Sequence, residues 1–139
     1  MQETKEEFLT ARQRAHVKDS AAVDRQQVAA GTATEMQVLI GPDEGAPNFW
    51  MRRFIMGEGG GMPRHTNEVE HEQYVLRGRA RIGIADDVLE VEAGDVVYIP
   101  ARQPHFYEVL EAPFEFLCMV PNTEDRIRVV EDPEQDSPE

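Results

Sequence analysis

The run GGGMPRHTNEVEHEQYVLRG, residues 59–78, carries the strongest structural information in this chain. It holds two of the four histidines, and a third, His105, follows in GDVVYIPARQPH at residues 94–105. A single straight strand would separate His65 from His71 by about 20 Å, at roughly 3.3 Å per residue. Ligands of one metal ion each lie about 2 Å from it. The two histidines can therefore share a metal only if the chain bends between them.

The residues between the two histidines favour such a bend. Asn67, Glu68 and Glu70 are types that occur in turns or are depleted in strands. The following HEQYVLRG, residues 71–78, has the composition of a strand. His65 and Asn67, two positions apart, lie on one face of the incoming strand. We expect His71 to open the next strand and to face back toward them.

The same residues resemble the two motifs of the cupin superfamily, over roughly residues 35–121. Residues 65–78 resemble the first motif and residues 94–105 the second. The usual first motif has two histidines two positions apart and a glutamate seven positions before a glycine. Here Asn67 stands at the second histidine position, and His71, seven before Gly78, stands at the glutamate position, as in a smaller class of cupins.

The resemblance implies a metal centre in which His65, His71 and His105 are ligands. Asn67 is either a fourth ligand through its amide oxygen or a bystander that leaves the position to water or substrate. The metal is expected to be a divalent transition ion, namely iron, manganese, zinc, nickel or copper, since imidazole binds these ions well. All of these protein donors are neutral, so a bound ion would keep its charge and favour an anionic substrate or hydroxide.

Short segments of near-period-two hydrophobicity, separated by Gly, Pro, Asp and Asn, predict an all-β sandwich or barrel. Together with the resemblance they predict a double-stranded β-helix, or jelly-roll barrel, over residues 20–121. Residues 1–19 are predicted to be an N-terminal segment with a short amphipathic helix, and residues 122–139 an acidic tail, disordered beyond Val130. The predicted strands cover residues 34–41, 48–56, 72–78, 79–85, 88–92, 95–100, 105–110 and 114–120.

Composition limits the classes of function. The 139 residues suit one domain. A net charge of −13 argues against nucleic-acid binding, because binding to phosphates needs a basic surface. No apolar run approaches the roughly 20 residues of a membrane helix, and the first residues lack the order of a signal peptide. The single cysteine, Cys118, is compatible with a reducing compartment, so we expect a cytoplasmic protein that contacts neither nucleic acid nor membrane.

Strand periodicity also predicts which side chains line the interior. Gln73 shares a face with His71, and Tyr107 shares one with His105. These two polar residues are the candidates to contact and orient a substrate, with Cys118 on the last strand as a third. Either Arg52 or Arg53 must point inward, to bind a carboxylate or to pair across a dimer. The glycines of GEGGGMPR, residues 57–64, are predicted to form a flexible turn leading to His65.

Three functions are compatible with these residues. The first is a metal-dependent enzyme, most simply an oxygenase, acting on a small anionic or enolisable molecule. The second is a metal-dependent isomerase or lyase that needs no oxygen. The third is a small-molecule binding or sensing module without turnover. The apolar strands around Trp50, expected at a sheet edge, and the resemblance together imply a homodimer.

Overall fold

The computed structural model of the chain describes residues 15–130. Within this range there are eight β-strands and two short 3-10 turns, the turns at Ser20–Ala22 and Pro42–Glu44. The strands are β1 (Gln26–Gln27), β2 (Thr32–Ile40), β3 (Phe49–Thr66), β4 (His71–Ile84), β5 (Asp87–Glu92), β6 (Val96–Ile99), β7 (His105–Pro121) and β8 (Arg128–Val129).

Three long strands, β3, β4 and β7, form the centre of the fold, in the order β1-β2-β3-β7-β4-β5. All strand pairs of the described chain are antiparallel. Along one edge, β4 pairs first with β6 and then with β5, while β7 follows its other edge. Likewise β3 pairs with β2 along its first part and with β8 at its end. Each long strand thus pairs with at least two other strands. The predicted all-β jelly-roll fold is confirmed.

The long strands bend where their registers shift. Between β4 and β7 the register shifts several times from Val75 to Ala80. Gly78 lies in this region with φ +81°, and a Cβ there would be 2.2 Å from the carbonyl oxygen of Pro113. Only glycine allows both this conformation and this close approach, so the glycine of the first motif permits β4 to bend against β7.

The core follows the predicted alternation of inward and outward residues. On the first part of β4 the inward side chains His71, Gln73 and Val75 are at most 5% exposed, whereas the alternating Tyr74 and Leu76 are 45% and 37% exposed. The last part of β7 also has its alternate residues in the core. The inward residues of the two strands in these regions are His71, Gln73, Val75, Phe114, Phe116, Cys118 and Val120.

Several local predictions are wrong. The two strands predicted within residues 72–85 form one continuous strand, His71–Ile84, and the two predicted within residues 105–120 also form one, His105–Pro121. The glycine-rich residues 57–64 are part of β3, not a turn, because β3 continues through a bulge between Met56 and Gly61. The strand that contains Trp50 is not at a sheet edge, since it lies between β2 and β7.

The predictions for the two ends fall largely outside the described residues. Of the predicted N-terminal segment, residues 1–19, only residues 15–19 are described, and these are not helical. The acidic tail beyond Val130 also lies outside. Its first part, residues 122–130, contains β8, which pairs with β3 at His65 and Thr66. No helix within residues 15–130 has the length and apolar character needed to cross a membrane.

Candidate metal centre

The three histidines of the two motifs lie together inside the barrel. His65 is near the end of β3, His71 opens β4, and His105 opens β7 opposite His65. They are 4%, 5% and 2% exposed. The ring centroids of His65 and His105 are 4.1 Å apart, and those of His71 and His105 are 5.6 Å apart.

The segment between β3 and β4 makes the bend that the sequence requires. Its centre, Val69, is buried at 6% exposure and anchors the loop to the core. The backbone N–H of Arg102 donates to the carbonyl of Asn67 at 2.8 Å, which ties the loop to the segment before His105. The two motifs are thereby held against each other at the histidine cluster.

Two of the histidines have one ring nitrogen fixed by the backbone. Nδ1 of His65 lies 2.7 Å from the carbonyl oxygen of Pro63, and Nδ1 of His105 lies 2.9 Å from that of Gln103. Because a carbonyl only accepts, each Nδ1 carries the proton and each Nε2 has a free lone pair. This is the arrangement by which proteins orient histidine ligands of metals.

His71 is held differently. Its Nδ1 lies 3.3 Å from Nη2 of Arg52 and 3.2 Å from Sγ of Cys118, while its Nε2 is buried without a hydrogen-bond partner. A guanidinium only donates. In the neutral ring, Nε2 has a lone pair only if Nδ1 carries the proton. Nδ1–H then donates to the Cys118 sulfur, and Arg52 Nη2 donates to the same sulfur at 3.2 Å. The buried Nε2 then has the lone pair that a metal would use.

Burial keeps all three imidazoles neutral near pH 7. It lowers the pKa of His71 to about 3, with the Arg52 charge as the next cause, and that of His105 to about 4, with His65 as the next cause. Burial also lowers the pKa of His65. Metals bind the neutral imidazole, so the ligands need lose no proton at neutral pH.

The cluster is close to, but not at, a metal-binding arrangement. Two imidazoles bound at about 2.0–2.1 Å, with roughly 90–110° between them, have centroids roughly 4.5–5.2 Å apart. The two separations above differ from this range by about half an ångström. Consistently, no group of three or more His, Cys, Asp or Glu in residues 15–130 already has an arrangement that could hold an ion. Small ring movements are needed, and the orphaned Nε2 of His71 fits a ligand role.

Asn67 lines the same cavity and is fixed by the C-terminal segment. Its Nδ2 donates to Oδ2 of Asp125 at 2.9 Å, and the other oxygen of Asp125 accepts from the backbone N–H of Glu68 at 2.7 Å. Because the amide nitrogen is used by Asp125, the amide oxygen is the atom available to a ligand.

The two predicted substrate-contacting residues are hydrogen-bonded to each other. Nε2 of Gln73 donates to the Tyr107 hydroxyl at 2.6 Å. Burial raises the pKa of Tyr107 well above its usual value, so the hydroxyl keeps its proton. Since that hydroxyl accepts from Gln73, its own proton can be donated into the cavity.

The histidines, Asn67, Gln73 and Tyr107 line a cavity of about 180 Å³. The arginine that points inward is Arg52, whereas Arg53 points away and pairs with Glu115 at 2.5 Å. Sequence reasoning missed Asp125 and the cavity residue Ile127, because the tail has no strand pattern that would place them. The remaining lining residues are Gln27, Val28, Met36, Phe54, Met56, Met62, Phe116 and Cys118.

A jelly-roll barrel with a buried histidine cluster in its interior defines the class of this protein. The family model of the cupin domain, Cupin_2, matches residues 52–120. A cupin 2 domain-containing protein from Halorhodospira halophila is 30% identical, with a TM-score of 0.67 and 71% of each chain covered. This chain belongs to the cupin superfamily.

Two further similarities are informative. The polyketide cyclase RemF from Streptomyces resistomycificus is 27% identical, with a TM-score of 0.79, covering 87% of this chain and 89% of RemF. An uncharacterised protein of Methanocaldococcus jannaschii is 36% identical over 50 residues, which are 35% of this chain. The same match spans only 40% of the length of that relative.

Proposed function

We propose that this cupin is a metal-dependent enzyme that acts on a small anionic or enolisable molecule. His65, His71 and His105 would hold the metal through Nε2, with the amide oxygen of Asn67 as a fourth donor. One observation carries the proposal: three buried, neutral imidazoles meet in a cavity, and two have Nδ1 fixed by backbone carbonyls.

A divalent transition metal held there, whether iron, manganese, zinc, nickel or copper, would supply a Lewis acid with its charge undiminished by carboxylate ligands. The protein's own groups would orient the substrate and stabilise its developing charge. Tyr107 keeps its hydroxyl proton and would donate a hydrogen bond to a substrate oxygen on which negative charge develops. Gln73 would act as a positioning residue, because its amide fixes the direction of that hydroxyl. The apolar wall formed by Phe54, Phe116 and the methionines would exclude water.

Two reaction classes share this chemistry. The similarity to the polyketide cyclase RemF, at 27% identity, supports a reaction that closes a ring within the substrate. The second function compatible with the sequence, an isomerase or lyase that needs no oxygen, is the alternative to the oxygenase to which such a reaction is most similar. The oxygenase predicted first from the sequence uses the same enolisable or anionic substrate together with O2.

Turnover with and without oxygen distinguishes the classes. Protein purified without chelator is incubated with β-dicarbonyl and phenolic carboxylate compounds, aerobically and anaerobically, and products are identified by mass spectrometry. Products formed without O2 support the non-redox reaction, and products that require O2 support the oxygenase. A tightly bound compound recovered unchanged under both conditions contradicts the enzyme proposal and indicates a binding module.

We also propose that two copies pair through an outward apolar sheet face. Neighbouring strands there present Val96 at 73%, Tyr98 at 59% and Tyr74 at 45% exposure. Exposed apolar surface of this kind is typical of interfaces. Tyr98→Glu is expected to change the mass measured by light scattering from that of two chains to that of one. A wild-type protein with the mass of one chain contradicts the dimer. A cytoplasmic location stays a prediction.

A further inference from the structure

The cavity contains one permanently charged side chain. Of the described residues that line it, only Arg52 carries a fixed charge. The lining of the cavity therefore carries one fixed positive charge even before any metal binds.

The Arg52 charge has no anionic partner within residues 15–130. None of the ion pairs there includes it. Its Nη2 contacts a histidine nitrogen and the Cys118 sulfur, and its Nε is buried without a hydrogen-bond partner. The neighbouring Arg53, by contrast, pairs with Glu115 on the other face of the strand. Arg52 is half-buried, and its Nε is fully buried. A charge withdrawn from water is costly unless it is paired and hydrogen-bonded, so Arg52 is poised to receive an anion.

The surroundings of Arg52 are aromatic and apolar. Its guanidinium carbon lies 5.1 Å from the ring centroid of Phe54. Phe54 stacks on Phe116 at 5.1 Å, and Phe116 stacks on Tyr107 at 5.3 Å. These rings form one wall from the guanidinium to the Tyr107 hydroxyl. A ligand that follows this wall needs an apolar body behind its anionic group.

We propose that the cavity binds a small carboxylate with an apolar body, and that Arg52 binds its carboxylate group. The planar guanidinium offers paired N–H donors that match a carboxylate. Nη2 of Arg52 is 3.3 Å from the His71 ring, so a carboxylate bound there adjoins the histidine cluster. This inference deepens the proposed function by naming its substrate class, and it rests on that function only in taking the cavity as the substrate site.

Matched carboxylate and amide pairs test the inference. Isothermal titration calorimetry measures binding of benzoate against benzamide, and of hexanoate against hexanamide, to protein as purified. At least one carboxylate is expected to bind wild type about tenfold or more tightly than its amide, since hydrogen bonds to charged groups are the strong ones. Arg52→Gln should abolish that preference, and Arg52→Lys should retain part of it. Arg81→Gln, which removes the same charge from an exposed ion pair, should retain all of it.

Metal content and the unfolding midpoint of every variant are measured in parallel. If Arg52 only supports His71 and Cys118, Arg52→Gln changes metal content but keeps the carboxylate preference, and the inference is overturned. It is also overturned if neither carboxylate binds wild type better than its amide. A further outcome is that wild-type protein is purified without metal and still binds the carboxylate more tightly than its amide through Arg52. That result would contradict the proposed metal enzyme but support this inference. A failure of the proposed function is therefore distinguishable from a failure of this inference.

Discussion

Acidification should destabilise the metal-free protein through its buried histidines. In the folded chain the pKa of His71 is lowered to about 3 and that of His105 to about 4, both mainly by burial. In the unfolded chain each returns to about 6.5. Below pH 6.5 the unfolded state therefore binds more protons than the folded state. The stabilising contribution is complete above pH 6.5 and is lost as the pH falls toward 3–4.

The size of the effect follows from the two shifts. Between pH 6.5 and pH 5 the folded histidines stay neutral while the unfolded ones titrate over 1.5 pH units. At about 1.4 kcal/mol per unit this lowers the free energy of unfolding by about 2 kcal/mol for each of His71 and His105, or about 4 kcal/mol together. His65, whose pKa is also lowered by burial, changes the stability in the same direction.

Urea unfolding in EDTA at pH 7 and pH 5 measures this loss. His71→Gln or His105→Gln removes one titrating group and should reduce the pH-dependent loss by about 2 kcal/mol, whatever its effect at pH 7. If both cavity variants lose as much stability between the two pH values as the wild type, these histidines are not buried in the neutral form, and the reasoning is refuted.

Three further substitutions test local contacts. Asp125→Ala removes the acceptor that fixes Asn67, so metal affinity, measured by competition with a fluorescent chelator, should fall about tenfold; unchanged affinity would show that Asn67 needs no such support. Gly61→Ala should lower the urea unfolding free energy by about 3 kcal/mol, because its Cβ would lie 2.1 Å from the carbonyl oxygen of Tyr107 at φ +146°. Gly59→Ala, with φ +71° but no atom within 4 Å, should cost only about 1 kcal/mol; equal losses would contradict this packing.

Much of the fold was predictable because side-chain alternation and motif spacing are local properties. The spacing of His65, His71 and Gly78 indicated both the bend and the family. The continuity of β4 and β7 was not predictable, because Gly78 and Pro113 look like turn residues. These two residues instead allow the strands to bend together, because the carbonyl of Pro113 approaches Gly78 across the β4–β7 pair. Such a bend inside a strand is decided by its neighbours, which a local pattern does not contain.

The candidate site was predictable only in part, for the same reason. Periodicity placed Gln73 and Tyr107 on inward faces, but it could not show that they bond to each other. Periodicity also left open whether Arg52 or Arg53 points inward. It shows that adjacent residues lie on opposite faces of a strand, but not which face is turned to the interior. Asp125 depends on how the tail folds back over the loop at Asn67, and that contact joins segments 58 residues apart.

The central claim is that side chains from three different strands bind one metal ion within the barrel. Metal content per chain, measured by inductively coupled plasma mass spectrometry on protein purified without chelator, tests it most directly. We predict about one transition-metal ion per wild-type chain, almost none for His105→Ala, and the wild-type content for His16→Ala. A folded His105→Ala protein that contains as much metal as the wild type would contradict the account.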